Sequence, residues 1–226
     1  MNLRCDHCGA AVPEGTSQCP FCRSPIVAVA PRPSLAGGAL IASTNFRAGD
    51  LGRFKPSQYL ASTKTALTDD HRRGVMTVMQ ASSTSVGVLN LFEAHADVAL
   101  SSSVRFVCGE GPAPTFGLAV RTGVKSRYGF TMWADGTAAL AYYEDHTPDR
   151  RCVVHKHAAF KPGDFNEMCI KIDDKRLRIY LNGTPIGSAR DERISTGNIA
   201  IWVGGSGSPT LPVVLEMTDV FVREIE

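Results

Sequence analysis

The chain predicts a mainly β protein: two antiparallel sheets stacked as a sandwich, preceded by a small unit of a different kind. Three observations carry this. Apolar residues recur at every second position in six segments after residue 100. Turn-forming residues separate those segments. Four cysteines are gathered into two Cys-x-x-Cys pairs within the first twenty-two residues.

Cys5-Asp6-His7-Cys8 and Cys19-Pro20-Phe21-Cys22 are two tight turns, each able to aim two sulfurs at one point. Two such turns supply the four soft ligands of a closed tetrahedral zinc site, with Cys5, Cys8, Cys19 and Cys22 as the ligands. Four sulfurs leave no open position on the metal, so the expected role is structural and not catalytic. So short a piece cannot bury a useful core unaided, and metal binding would supply its folding energy. Residues 1–24 are read as this unit. They resemble the small bacterial-type zinc ribbon, with CxxCG, a turn at Val12-Pro13-Glu14-Gly15, then CPxC. Arg23 stands where that family usually has a second glycine.

Residues 25–38 read as a linker, stiffened by Pro25, Pro31 and Pro33 and ended by Gly37-Gly38. Three arginines against two carboxylates precede residue 39. A zinc tetrathiolate would add two negative charges, leaving about −1. No basic patch for phosphate is written there, so no nucleic-acid partner is expected.

The 226 residues are 43% hydrophobic, enough for one sizeable core over residues 39–226. The 24 basic and 22 acidic residues nearly balance, which gives no long-range pull toward nucleic acid or an anionic membrane. No apolar run approaches the ~20 residues that span a bilayer. Met1-Asn2-Leu3-Arg4 leads straight into the first cysteine pair, so no leader peptide is expected. Paired reduced thiols suit a cytoplasmic location. The other three cysteines, Cys108, Cys152 and Cys169, are odd in number and scattered, and read as small apolar residues.

From residue 39 the strands follow in order. Val104, Phe106 and Cys108 alternate with Arg105 and Val107. Leu118 and Val120 alternate with Ala119 and Arg121. Tyr128, Phe130 and Met132 alternate with Gly129, Thr131 and Trp133. Ile170 and Ile172, Leu177–Leu181, and Ile199–Val203 repeat the pattern. Such runs are half-buried antiparallel strands. Asp135-Gly136, Asp173-Asp174-Lys175 and Asn182-Gly183 supply the turns. Residues 63–73 read as a polar loop.

The segments Phe165–Ile172, Leu177–Gly183, Gly197–Trp202 and Leu215–Val222 resemble the concanavalin A-like lectin and glucanase superfamily, closest to its laminin-G-like and keto-disaccharide-hydrolase-like branches. The resemblance implies a jelly-roll sandwich with one concave sheet. That fold hosts lectins, hydrolases and interaction modules, so it does not fix a ligand.

Alternation turns Trp133, Tyr180 and Trp202 away from the aliphatic rows, together with Arg121, Lys171 and Arg178. Sugar rings stack on flat aromatic faces while guanidinium groups donate to hydroxyls. Trp133, Arg178, Tyr180, Trp202 and Arg121 are therefore the candidate ligand-binding set, for a carbohydrate or a protein segment.

Glycoside hydrolysis needs two carboxylates across a cleft. Glu93, Asp97, Glu144, Asp145, Glu167, Glu216 and Asp219 are candidates, but none forms the E-x-D-x-x-E motif of the superfamily's glucanases. No catalytic residue is assigned. His155 and His157 share a strand face without a third ligand beside them, and no calcium-loop motif is present. The reading is a non-catalytic binding protein. A sugar-active hydrolase and a self-associating scaffold are the alternatives.

Overall fold

The computed structural model describes residues 3–4, 11–12, 18, 20–21, 23, 38–46, 51–56, 65–70, 75–80, 86–108, 114–204 and 213–225. The chain divides into two compact units, Met1–Leu35 and Ala36–Glu226. In the first, β1 (Leu3–Arg4) pairs antiparallel with β2 (Ala11–Val12), Leu3 opposite Val12. Cys5, Cys8, Cys19 and Cys22, and the expected linker apart from Gly38, lie outside the described residues.

The second unit is the sandwich. Among the described residues it contains no helix, and therefore none long and apolar enough to cross a membrane. Its strands are β3 (Leu40–Thr44), β4 (Lys55–Pro56), β5 (Thr65–Asp70), β6 (Val75–Gln80), β7 (Val86–His95), β8 (Val98–Cys108), β9 (Thr115–Thr122), β10 (Ser126–Trp133) and β11 (Ala138–Glu144), followed by β12 (Thr147–Val154), β13 (Asn166–Asp173), β14 (Arg176–Leu181), β15 (Thr184–Arg190), β16 (Gly197–Gly204) and β17 (Val213–Glu224). One sheet runs β12-β11-β10-β9-β16-β7-β4. The other runs β15-β14-β13-β8-β17-β6-β5, with β3 also on β17. Two runs of consecutive hairpins, β9–β12 and β13–β15, lie in different sheets. The later strands β16 and β17 return to seat against β9 and β8.

The Asp135-Gly136 and Asn182-Gly183 turns both close hairpins. Asn182 and Gly183 have φ of 49° and 84°, the left-handed pair that a two-residue hairpin turn demands. Gly136 turns at φ 85°, and a side chain there would meet the Phe160 ring at 2.6 Å. Residues 63–73 were expected to form a polar loop. Thr65–Asp70 instead form a strand paired with β6, Thr65 opposite Gln80. It is the last strand of its sheet, where polar residues are the normal protection of a free edge.

The two sheets share one core. Phe116, Leu118 and Val120 of β9 and Tyr128, Phe130 and Met132 of β10 meet Met168, Ile170 and Ile172 of β13 and Leu177, Ile179 and Leu181 of β14. The expectation of one buried and one wet face holds for β14 and β17. It fails for β9, β10 and β11, which are buried on both faces through most of their length. Most outward positions of these strands are small, and large side chains lie over Gly117 and Gly129.

Two polar networks fix the margins. Asn166, 1% exposed, accepts from the Lys161 amide (2.8 Å) and donates to the Lys161 and Asp164 carbonyls (2.8 and 2.9 Å). Asn182 donates to the Ala159 carbonyl (2.7 Å) and to Asn166 (2.9 Å), so Asn166 and Asn182 together staple the loop before β13. On the side where β12 and β15 end the two sheets, the buried Asp191 accepts from the Tyr128 hydroxyl (2.7 Å) and from the Arg193 amide and Nε (3.0 Å each). Arg151 reaches both Asp191 (3.2 Å) and Asp149 (2.7 Å), and the Arg193 guanidinium also stacks 3.5 Å from the Tyr142 ring.

Candidate ligand-binding face

The pairing registers define what stands on the outer face of the seven-stranded sheet. One row across the strands reads Trp202, Gly117, Thr131, Ala139, Val153. The next reads Asn90, Ala200, Ala119, Gly129, Ala141, Arg150. Beyond it Arg127 is opposite Tyr143. Six of these positions are glycine or alanine, and large side chains at neighbouring positions lie down over them. The Trp202 indole lies on Gly117, where a Cβ would fall 2.0 Å from Cε2. The Tyr143 ring lies on Gly129, where a Cβ would fall 2.8 Å from Cε2, and its hydroxyl meets Thr131 Oγ1 at 3.0 Å.

These side chains touch each other. Tyr143 and Trp202 meet edge to face with centroids 6.3 Å apart. The Arg127 guanidinium sits 4.5 Å above the Tyr143 ring, and Arg150 lies 5.9 Å from the Trp133 ring. Burial lowers the Arg127 pKa from its ordinary value, with Tyr143 acting weakly in the opposite sense. The group stays charged, as arginine does in proteins. Trp202 Nε1 and Arg127 Nε are shielded, and neither has a hydrogen-bond partner among the described residues. These two unpaired atoms beside Tyr143 are an exception to the rule that buried polar atoms are paired.

The outward positions of β9, β10, β11 and β16 hold no aspartate or glutamate. The carboxylates noted in the sequence are engaged elsewhere. Glu93 pairs with Arg53, Glu216 with Arg105, Asp97 with Arg121 at 3.1 Å and Asp145 with Lys125 at 3.6 Å. Glu167 and Asp219 stand on β13 and β17 of the other sheet, and Glu144 is exposed at the end of β11.

The five residues read as one ligand set do not share a surface. Trp133 and Trp202 share the outer face of the seven-stranded sheet, two strands apart. Arg178 and Tyr180 are outward on β14 of the opposite sheet, where Lys171 Nζ lies 5.4 Å from the Tyr180 ring. Arg121 is 3% exposed. Its φ of 48° turns it out of the strand, and it donates to the Ala96 and Ile194 carbonyls (2.8 Å each) and to Asp97. That makes it a buried tie between loops. Tyr143, Arg127, Thr131 and Arg150 join the face without having been singled out.

Several solved structures share this architecture. The carbohydrate-binding module CBM66 from Bacillus subtilis superposes with a TM-score of 0.56 at 12% identity, over 84% of this chain and 99% of that one. The Bacillus licheniformis β-glucanase gives 0.61 at 10%, over 83% and 99%. The fold is that of the concanavalin-like β-sandwiches. The carbohydrate recognition domain of Emp47p gives 0.56 at 9%, over 81% and 95%. At these identities the likeness shows the fold alone. No protein-family model matches the chain, and no curated protein matches it by sequence.

Proposed function

We propose that the chain is a non-catalytic carbohydrate-binding protein whose recognition surface is the outer face of the seven-stranded sheet. The observation that carries this is the part-exposed pair Trp133 and Trp202 with Arg127 and Arg150 beside them, on outward strand positions of β9, β10, β11 and β16 that hold no carboxylate. Aromatic rings offer stacking to the apolar faces of a sugar, and the guanidinium groups of Arg127 and Arg150 suit its hydroxyls. Hydrolysis would need two facing carboxylates, which this reading does not use. The sandwich fold shared with a carbohydrate-binding module and a carbohydrate recognition domain supports the same class of ligand.

The test is a glycan array with the full chain, followed by calorimetry on the best binder. Trp202→Ala is expected to weaken binding at least tenfold, about 1.4 kcal/mol, while the melting temperature of Tyr180→Ala and its affinity stay close to wild type. Equal affinity in Trp202→Ala and wild type would exclude this face. A hydrolysed glycan in the same experiment would exclude the non-catalytic reading.

The four cysteines Cys5, Cys8, Cys19 and Cys22 are proposed as ligands of one structural zinc, on their spacing. The antiparallel pairing of Leu3–Arg4 with Ala11–Val12 on either side of the first pair supports that reading. The unit would serve as a docking tag in a compartment that keeps thiols reduced. Metal analysis should find one zinc per chain.

A further inference from the structure

The opposite face of the sandwich carries a different chemistry. On β14, Arg176 and Arg178 are two residues apart and both point outward, since Leu177 and Ile179 are in the core. Across the pairing with β15, Arg176 stands directly opposite Arg190 and Arg178 opposite Ser188. Across the pairing with β13, Arg178 stands directly opposite Lys171 and Arg176 opposite Asp173. Two pairs of like charges thus face each other at the ~5 Å separation of directly opposed side chains, an arrangement that opposes folding. Asp173 is the one carboxylate at the registered positions of this patch. None of Lys171, Arg176, Arg178 and Arg190 has an ion-pair partner among the described residues. Glu192, on the following loop, is bonded by Lys175 and also feels the charge of Arg190.

The arginines also line a depression. A trough of about 470 Å³ is walled by Arg176, Arg178, Pro185, Ile186, Gly187 and Ser188. A register shift between β14 and β15, Ile179 opposite Gly187 but Tyr180 opposite Pro185, stands at this point. Arg176, Arg190 and Ser188 are exposed. Repulsion left in place beside an open trough is unexplained by the stability of the sandwich. It is relieved when a multiply charged anion enters, because arginine forks match the oxygens of sulfate and phosphate two at a time.

We infer that this trough is a binding site for a sulfate or phosphate group carried by a ligand. It is independent of the aromatic face, which lies on the other sheet. The experiment is a titration of the isotope-labelled full chain at low ionic strength with inorganic sulfate, and separately with inorganic phosphate, following the arginine Nε–H signals and the Ser188 amide by NMR. Saturable shifts at millimolar anion are expected, with sodium chloride of equal ionic strength producing none. The anion that saturates first identifies the source to pursue. The double variant Arg176→Gln/Arg178→Gln should bind at least tenfold more weakly and melt no lower than wild type, because it removes a repulsion. Shifts reproduced by chloride, or saturation untouched by the double variant, would overturn the site. A lowered melting temperature in that variant would overturn its premise, by showing that the arginines hold the sheet together.

Discussion

Asp191 ties the stability of the sandwich to pH on the acid side. Burial alone would raise its pKa. The hydrogen bonds from Arg193 and Tyr128 and the charge of Arg193 outweigh burial and hold the carboxyl well below the usual range. Its folded value is depressed, so its contribution to stability is complete above the unfolded value of ~4 and is lost as pH falls toward the folded value. Tyr128 behaves oppositely. Burial first, then the bond to Asp191, pushes its phenol up to about 12, so its contribution is complete below the ordinary ~10 and is lost as pH rises through 12. Asp191→Asn should lower stability at pH 7 by about 2–3 kcal/mol, the worth of hydrogen bonds to a charged group. Urea midpoints measured from pH 6 to pH 2 should fall steeply below pH 4 in wild type and more gently in the variant. Parallel slopes would mean that Asp191 is not the group titrating.

Strand by strand, alternation was a good guide to inside and outside and a poor one to which sheet. It put Trp133, Trp202, Tyr180 and Arg178 correctly on outer faces. It could not say that the tryptophans and the β14 pair lie on opposite sheets, because parity carries no information about pairing partners. Arg121 escaped the rule because a left-handed backbone angle at the strand end swings it inward. Tyr143 was missed because β11 is apolar nearly throughout, and Tyr142 in the core stands beside it. Strands β12 and β15 lack alternation, since each ends a sheet and has little to bury. The row of small residues under the aromatics gives a direct test. Gly117→Ala puts a methyl into the plane of the Trp202 indole. It should destabilise by about 1–3 kcal/mol as an overpacked site does, and shift the Trp202 fluorescence relative to a Trp133→Phe reference. An unchanged emission spectrum with unchanged stability would show that the indole does not rest on Gly117.

For the whole chain, the sequence divided the molecule by chemistry before any fold was known. The sandwich was legible because its core is long enough to repeat a pattern, and the turns Asp135-Gly136 and Asn182-Gly183 were legible because their backbone angles demand particular residues. The proposed recognition face was only half legible, since β16, which brings Trp202, is far in sequence from the consecutive strands β9, β10 and β11 that it joins. If the head is clasped by zinc while the sandwich rests on apolar burial, the two should respond separately to chelation. Added chelator is expected to release one zinc and abolish the amide protection of Leu3–Val12, leaving the main calorimetric transition within about 2 °C. A collapse of that transition would show that the sandwich depends on the metal.

The charged margin along Thr147–Val154 has a consequence for behaviour at high concentration. An outermost strand offers an unpaired ladder of amides to any passing chain, and the fibrous cross-β state grows by that route. Here Asp149, Arg150 and Arg151 crowd that ladder, and a register slip at Leu140/Ala141 distorts it. That edge is thereby guarded against pairing with a second chain, even though most of the described backbone is already extended as fibrils require.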